Sequence, residues 1–112
     1  MKITKVSETP INENPHKVDA RKIYDKSQAQ AVHIILNPGE SLKPHITPVD
    51  VFFFVIEGAP EIMIGDKKLL VNSDCLIESP KGIAHCIYNN SSNFVRVLVV
   101  KTPRPTAKTE IL

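Results

Sequence analysis

The chain has 112 residues, with 14 basic and 12 acidic side chains and a formal net charge of +2. This length suits one domain with a single core and a small pocket, and it is too short for a cleft between two domains. The nearly balanced charge does not favour a nucleic-acid-binding protein, which usually carries a strongly basic face. We therefore expect one domain over residues 1–112 and no nucleic-acid partner.

Nine prolines against four glycines divide the chain into short segments, and a proline inside a helix costs about 3 kcal/mol. The segments between them are rich in β-branched and aromatic residues, which favour strands. Residues 18–24 fit either a strand or one helical turn. Many short strands between turn residues predict an all-β sandwich or barrel. The predicted strands, in chain order, are residues 31–36, 51–56, 61–64, 67–71, 76–77, 85–88 and 94–100.

Neither end of the chain has a strong pattern, so residues 1–17 and 103–112 are interpreted as flanking linkers. Two cysteines, Cys75 and Cys86, are too few for a disulfide framework, and their apolar neighbours predict buried free thiols. The first residues lack the apolar stretch of a secretory signal. The longest apolar run, residues 51–56, is too short to cross a membrane. We expect a soluble cytoplasmic protein without a membrane partner.

Two stretches place a histidine within a recognisable spacing of glycine and proline. The first contains Gly39, His45 and Gly58, and the second contains Pro80, Gly82, His85 and Asn89. Together they resemble the two signature motifs of the cupin superfamily, most of all its small single-domain members. The resemblance implies a single antiparallel β-barrel of the jelly-roll type, a double-stranded β-helix, with its core at about residues 18–102.

In cupins the two motifs face each other inside the barrel and hold a divalent metal. His45 and His85 match two of the family's ligands, whereas Thr47 stands where a further histidine belongs and Val51 where the carboxylate belongs. Asp50 can replace that carboxylate only if the strand shifts by one residue, which normally turns a side chain to the other face. The resemblance thus implies a metal site of His45, His85 and Asp50 for Fe, Mn, Ni or Zn.

Other residues are candidates for the lining of the pocket. Besides Thr47 and Val51, His33 lies on a strand that lines the barrel in the family, and an inward Arg96 would anchor a carboxylate. His16 follows a proline in a polar segment and is expected to be exposed. Residues 31–100 carry five basic and seven acidic side chains, so the centre of the chain favours a cation over an anionic substrate.

Several functions remain open from the sequence. A metal-dependent enzyme would oxygenate, isomerise or decarboxylate a small polar molecule, with His45 and His85 as metal ligands. A non-catalytic binding or sensory module would have lost its metal, with Thr47 and Val51 marking the loss. A structural scaffold is the third possibility. The resemblance also implies a homodimer.

Overall fold

Two five-stranded antiparallel sheets form the fold in the computed structural model, which describes all 112 residues. The first sheet has the strand order β1-β2-β9-β4-β7 and the second has the order β10-β3-β8-β5-β6. This arrangement confirms the predicted all-β class. The strands are β1 (Asp19–Lys26), β2 (Ala29–Leu36), β3 (Ser41–Ile46), β4 (Asp50–Glu57), β5 (Glu61–Ile64), β6 (Lys67–Leu70), β7 (Cys75–Ser79), β8 (Ala84–Tyr88), β9 (Val95–Thr102) and β10 (Glu110–Ile111).

All seven predicted strands are present, with ends that differ by at most two residues, and the ambiguous segment 18–24 belongs to strand β1. Strands β3 and β10 were missed by the sequence analysis. β3 contains Pro44, which argues against a strand because proline cannot donate to a ladder. β10 has only two residues and no pattern of its own.

Strand β3 accommodates its proline at a bulge. It pairs Leu42 with Ile87 and His45 with His85, so β3 has one residue more than β8 between these pairs. An extra residue reverses the alternation of faces beyond it. Leu42 and His45 are therefore both buried although an odd number of positions separates them. The bulge is what turns His45 into the space between the sheets.

The core lies between the two sheets, and burial alternates along strands β4 and β9 of the first one. In β4, Val51, Phe53 and Val55 are buried, while Phe52 and Phe54 are half-buried on the outer face. Strand β4 is followed directly by Gly58, whose φ of +87° is unfavourable for other residues. A Cβ atom there would lie 2.8 Å from the Val95 side chain. The glycine thus permits a close approach between the end of β4 and the start of β9.

Both ends of the chain pack against the sheets and are not free linkers. The Asn12 amide donates to the Ala20 carbonyl, and the Asn12 side chain accepts from the Lys22 amide at 3.0 Å. At the other end, β10 pairs with the edge of β3. These contacts bring the N-terminal segment to the mouth of the space between the sheets.

Helical structure is limited to one 3₁₀ turn, Val6–Glu8, and no helix is long and apolar enough to cross a membrane. Both cysteines are free thiols. Cys86 is buried as expected. The expectation for Cys75 was wrong, because this residue begins the edge strand β7 and is exposed.

Candidate functional site

A cavity of about 310 Å³ lies between the sheets and opens beside the N-terminal segment. Its inner wall is largely apolar. Its polar groups come from strands β1, β2, β8 and β9, from the end of β3 and the residue after it, and from the two terminal segments. The apolar lining consists of Val18, Ala20, Val32, Ile34, Leu42, Val51, Phe53 and Val99. The titratable lining consists of Glu13, His16, Lys22, His45, His85 and Lys101.

His45 and His85 form the polar centre of this cavity. They are direct cross-strand partners, and side chains at such positions lie on the same face. Their Nε2 atoms are 3.0 Å apart, and Thr47 Oγ1 lies 3.2 Å from the same Nε2 of His85. The other nitrogen of each ring also has a hydrogen-bond partner. His45 Nδ1 lies 2.5 Å from the Lys43 carbonyl oxygen, and His85 Nδ1 lies 2.6 Å from Ser79 Oγ.

The hydrogen-bond network assigns the protons of the neutral rings. A carbonyl oxygen can only accept, so His45 carries its proton on Nδ1 and presents a lone pair at Nε2. His85 must then donate from Nε2 to His45, and its own Nδ1 accepts from the Ser79 hydroxyl. The result is a directional chain from Ser79 through His85 and His45 to the Lys43 carbonyl.

Burial keeps both rings uncharged at neutral pH. Desolvation is the main reason why the pKa of His85 falls to about 3, and the positive charges of His45 and Lys101 lower it further. Desolvation likewise lowers the pKa of His45, against the raising effect of the Lys43 carbonyl. The pair therefore acts at pH 7 as neutral donors and acceptors.

The two altered motif positions, Thr47 and Val51, both line the cavity. Asp50 does not, and the suggestion that it completes a metal site was wrong. It is exposed at the start of β4, and its carboxylate accepts a hydrogen bond from the Lys81 amide at 2.8 Å. The physical reason is the alternation of the strand, which has no bulge at this point and turns Val51 inward.

His33 and Arg96 also lie outside the cavity, contrary to the sequence-based suggestion. Side chains of β2 and β9 alternate between the two faces of the sheet, and the neighbouring residues Val32 and Val97 face inward. His33 and Arg96 are therefore on the outer face of the first sheet. There Arg96 Nε donates to His33 Nε2 at 3.1 Å, and Arg96 also pairs with Glu57 at 3.4 Å. These side chains stabilise the outer face and do not contact the site.

The sequence analysis missed four titratable residues of the lining, Glu13, His16, Lys22 and Lys101, and two of these, His16 and Lys101, lower the pKa of His85. His16 is half-buried: its Nδ1 accepts from the Lys43 amide at 2.8 Å, and its ring centroid lies 4.8 Å from that of His45. Lys101 lies near the C-terminal end of β9, one position beyond the predicted strand 94–100. Val97 and Val99 face inward, and continuing this alternation by two residues would have predicted that Lys101 faces the cavity.

The side chains at the centre of the cavity do not fit a resident divalent metal. They offer two imidazole nitrogens and a hydroxyl, with no carboxylate beside them. The third imidazole nearby, His16, lies against the His45 ring and already accepts from the Lys43 amide through its Nδ1. No group of three His, Cys, Asp or Glu side chains in the chain is arranged to hold an ion. The charged group that acts on this centre is the cation Lys101, which lowers the pKa of both His45 and His85. A cation would thus meet like charge and few ligands.

The sequence and the fold both match known proteins. The family model described as a cupin domain matches residues 32–101. Protein TT1209 of Thermus thermophilus is 24% identical, with a TM-score of 0.81 over 94% of this chain and 100% of that chain. The polyketide cyclase RemF from Streptomyces resistomycificus is 20% identical, with a TM-score of 0.85 over 100% of this chain and 85% of that chain.

A third similar structure is an RmlC-like cupin family protein from Methanocaldococcus jannaschii with a double-stranded β-helix fold. It is 21% identical, with a TM-score of 0.77 over 94% of this chain and 93% of that chain. No functionally curated protein matches the sequence significantly. At these identities the structural likeness establishes the fold and leaves the chemistry to the site.

Proposed function

We propose that this chain, which belongs to the cupin family, binds a small polar organic molecule inside its barrel by direct contact with protein side chains and without a resident metal. The observation that carries the proposal is the hydrogen-bonded centre of His45, His85 and Thr47 within a largely apolar cavity. Apolar walls with a few convergent polar groups are typical of small-molecule sites.

The metal-dependent enzyme considered from the sequence is less well supported. Metal binding is common among cupin domains, but here the carboxylate position is Val51 and the further histidine position is Thr47, and both lie in the cavity. With these side chains in place, the centre can hydrogen-bond a ligand: the Thr47 hydroxyl offers a proton, and a ligand acceptor that takes the Nε2 proton of His85 frees the lone pair of His45.

The proposal is tested by an NMR screen of small polar organic fragments against the isotope-labelled protein in the presence of EDTA. We expect chemical-shift changes centred on His45, His85 and Thr47. Val99→Phe should abolish them because Val99 lines the cavity and is 5% exposed. Val100→Phe is the matched control, since Val100 is half-buried on the opposite face of the same strand. Shifts that need added metal, or that persist in Val99→Phe, would contradict the proposal.

Proton transfer is a second candidate function, favoured by the directional chain from Ser79 to the Lys43 carbonyl. A ligand that accepts the hydrogen bond of His85 Nε2 would release the lone pair of His45 Nε2, and this uncharged ring nitrogen can then accept a proton from an acidic carbon of the ligand. The test is the incorporation of solvent deuterium into 2-oxobutanoate, compared between the wild type and His45→Gln. Equal rates in both proteins would leave ligand binding as the function.

We further propose that the protein forms a homodimer through the outer face of its first sheet. Phe52 is paired with Val100 and Phe54 with Leu98, which places four half-buried apolar side chains together. Such a patch is typical of an interaction surface. Sedimentation analysis should give a dimer for the wild type and for the surface control Lys67→Glu, and a monomer for Phe54→Lys. A monomeric wild type would refute this assembly.

A further inference from the structure

We infer that the ligand of the proposed binding site is a small organic anion, whose negative group is held by Lys101 and whose apolar part contacts the valine-rich wall. This inference rests on the proposed function and specifies its ligand class. It reverses the expectation from the charge of residues 31–100, because the charged groups around the cavity come mainly from outside that range.

Lys101 is placed in the cavity by the register of the first sheet. Strand β9 pairs Lys101 with Val51 on one side and with Gln30 on the other, and Val51 in turn pairs with Ser79. Directly paired residues share a face of a sheet. Ser79, Val51, Lys101 and Gln30 therefore form one cross-strand row on the inner face, and Lys101 lies beside the position that holds a carboxylate in other cupins.

The amino group of Lys101 has no partner within the protein. Lys101 is the one lysine of the chain that is not exposed, yet its amino group makes no ion pair and no hydrogen bond. Exposed lysines such as Lys22 and Lys68, by contrast, pair with carboxylates. Burial and the charge of Lys22 both lower the pKa of Lys101. A half-buried ammonium without a counterion is costly unless a ligand supplies one.

The other charged groups at the cavity point to the same ligand class. Lys22 adds a second cation, and Glu13 is the one acidic residue of the lining and is exposed. Apolar side chains, among them Val18, Val32 and Val99, form much of the rest of the lining. An inorganic anion would leave this surface without contact. A carboxylate attached to an apolar body satisfies both parts.

The test compares matched acids and amides by NMR titration of the wild-type protein: hexanoate against hexanamide and benzoate against benzamide, with inorganic phosphate as a further probe. A charge-assisted hydrogen bond is worth roughly 1.5–3 kcal/mol, so we expect each carboxylate to bind about tenfold to a hundredfold more tightly than its amide. Phosphate should bind more weakly than hexanoate. The preference for the acid should disappear in Lys101→Met and remain in Lys101→Arg, and the exposed-site control Lys67→Met should match the wild type.

The outcomes separate this inference from the proposed function. Equal affinity for acids and amides in the wild type would overturn the anion and leave the binding site intact. Tighter binding of phosphate than of hexanoate would overturn the organic nature of the ligand. If the preference for the acid survives in Lys101→Met, the role of Lys101 is refuted. If neither the acids nor the amides change the chemical shifts of the cavity residues, the proposed function itself is contradicted. The comparison of acids and amides on the wild type stands even if a variant does not fold.

Discussion

Thr47 and Val51 determine what the cavity of this protein can bind. Their positions in the motifs were recognisable from the sequence, and the structure places both side chains in the cavity beside His45 and His85. The sequence did not reveal whether the side chain of Asp50 or that of Val51 faces the cavity, because a one-residue shift of the strand would exchange the two. The unbulged pairing of β4 with β7 resolves this in favour of Val51.

Restoring the two altered positions should create a metal site. In the double variant Thr47→His and Val51→Glu, three imidazoles and a carboxylate would face one another, and this is a ligand set that first-row transition metals bind well. We expect about one equivalent of Zn²⁺ by isothermal titration calorimetry, against no stoichiometric binding by the wild type. Thr47→His with Asp50→Glu is the control, because residue 50 faces solvent. If the control binds as well as the double variant, the assignment of inner and outer faces is wrong.

His16 shows why part of the site could not be predicted. Its sequence neighbours are polar, and its burial depends on a hydrogen bond to the Lys43 amide, 27 residues away, which no local pattern indicates. Desolvation, together with the charges of His45, Lys43 and Lys101, lowers its pKa to about 4. The residue thus links the N-terminal segment to the histidine pair.

The lowered pKa of His16 predicts a loss of stability in acid. The unfolded chain binds a proton at this histidine below a pH of about 6.5, whereas the folded protein resists it down to a pH of about 4. The free energy of unfolding therefore decreases as the pH falls through this range. Urea denaturation at pH 7 and pH 5 should show a smaller decrease for His16→Asn than for the wild type, since asparagine can accept the same hydrogen bond without titrating. Equal decreases would exclude a role for His16.

At the level of strands, alternation determines which residues reach the site. The sequence identified β4 as the most apolar strand, but it did not decide which of its three phenylalanines faces inward. In the structure only Phe53 does so, and its ring centroid lies 5.1 Å from that of His85. In β3 the bulge at Pro44 adds a parity change that the sequence analysis missed along with the strand itself.

The three phenylalanines provide a test of this alternation. Phe53 is 1% exposed, so Phe53→Ala should lower the free energy of unfolding by about 3–5 kcal/mol. Phe52→Ala removes a half-buried side chain from the outer face and should cost about 1 kcal/mol. Chemical denaturation measures both values at a protein concentration below that at which a dimer forms. A larger loss for Phe52→Ala would mean that the inner and outer faces of β4 are reversed, and similar losses would contradict the difference in burial between the two positions.

For the whole molecule, the fold was accessible from the sequence and the electrostatics of the site were not. The strand pattern and the two motifs were sufficient for an antiparallel double-stranded β-helix. The cavity charge depends on residues that lie outside the motif-containing stretch. Glu13 comes from the N-terminal segment, Lys22 from β1, and Lys101 from the last positions of β9. Counting charges over residues 31–100 therefore gave the wrong sign.

The central claim is that the cavity binds its ligand through protein groups alone, and the metal content of the protein tests it most directly. Elemental analysis of protein purified without chelator should find Fe, Mn, Ni, Co, Cu and Zn each well below one equivalent, and unchanged in His45→Ala and His85→Ala. A near-stoichiometric transition metal in the wild type that is lost in both histidine variants would contradict the account.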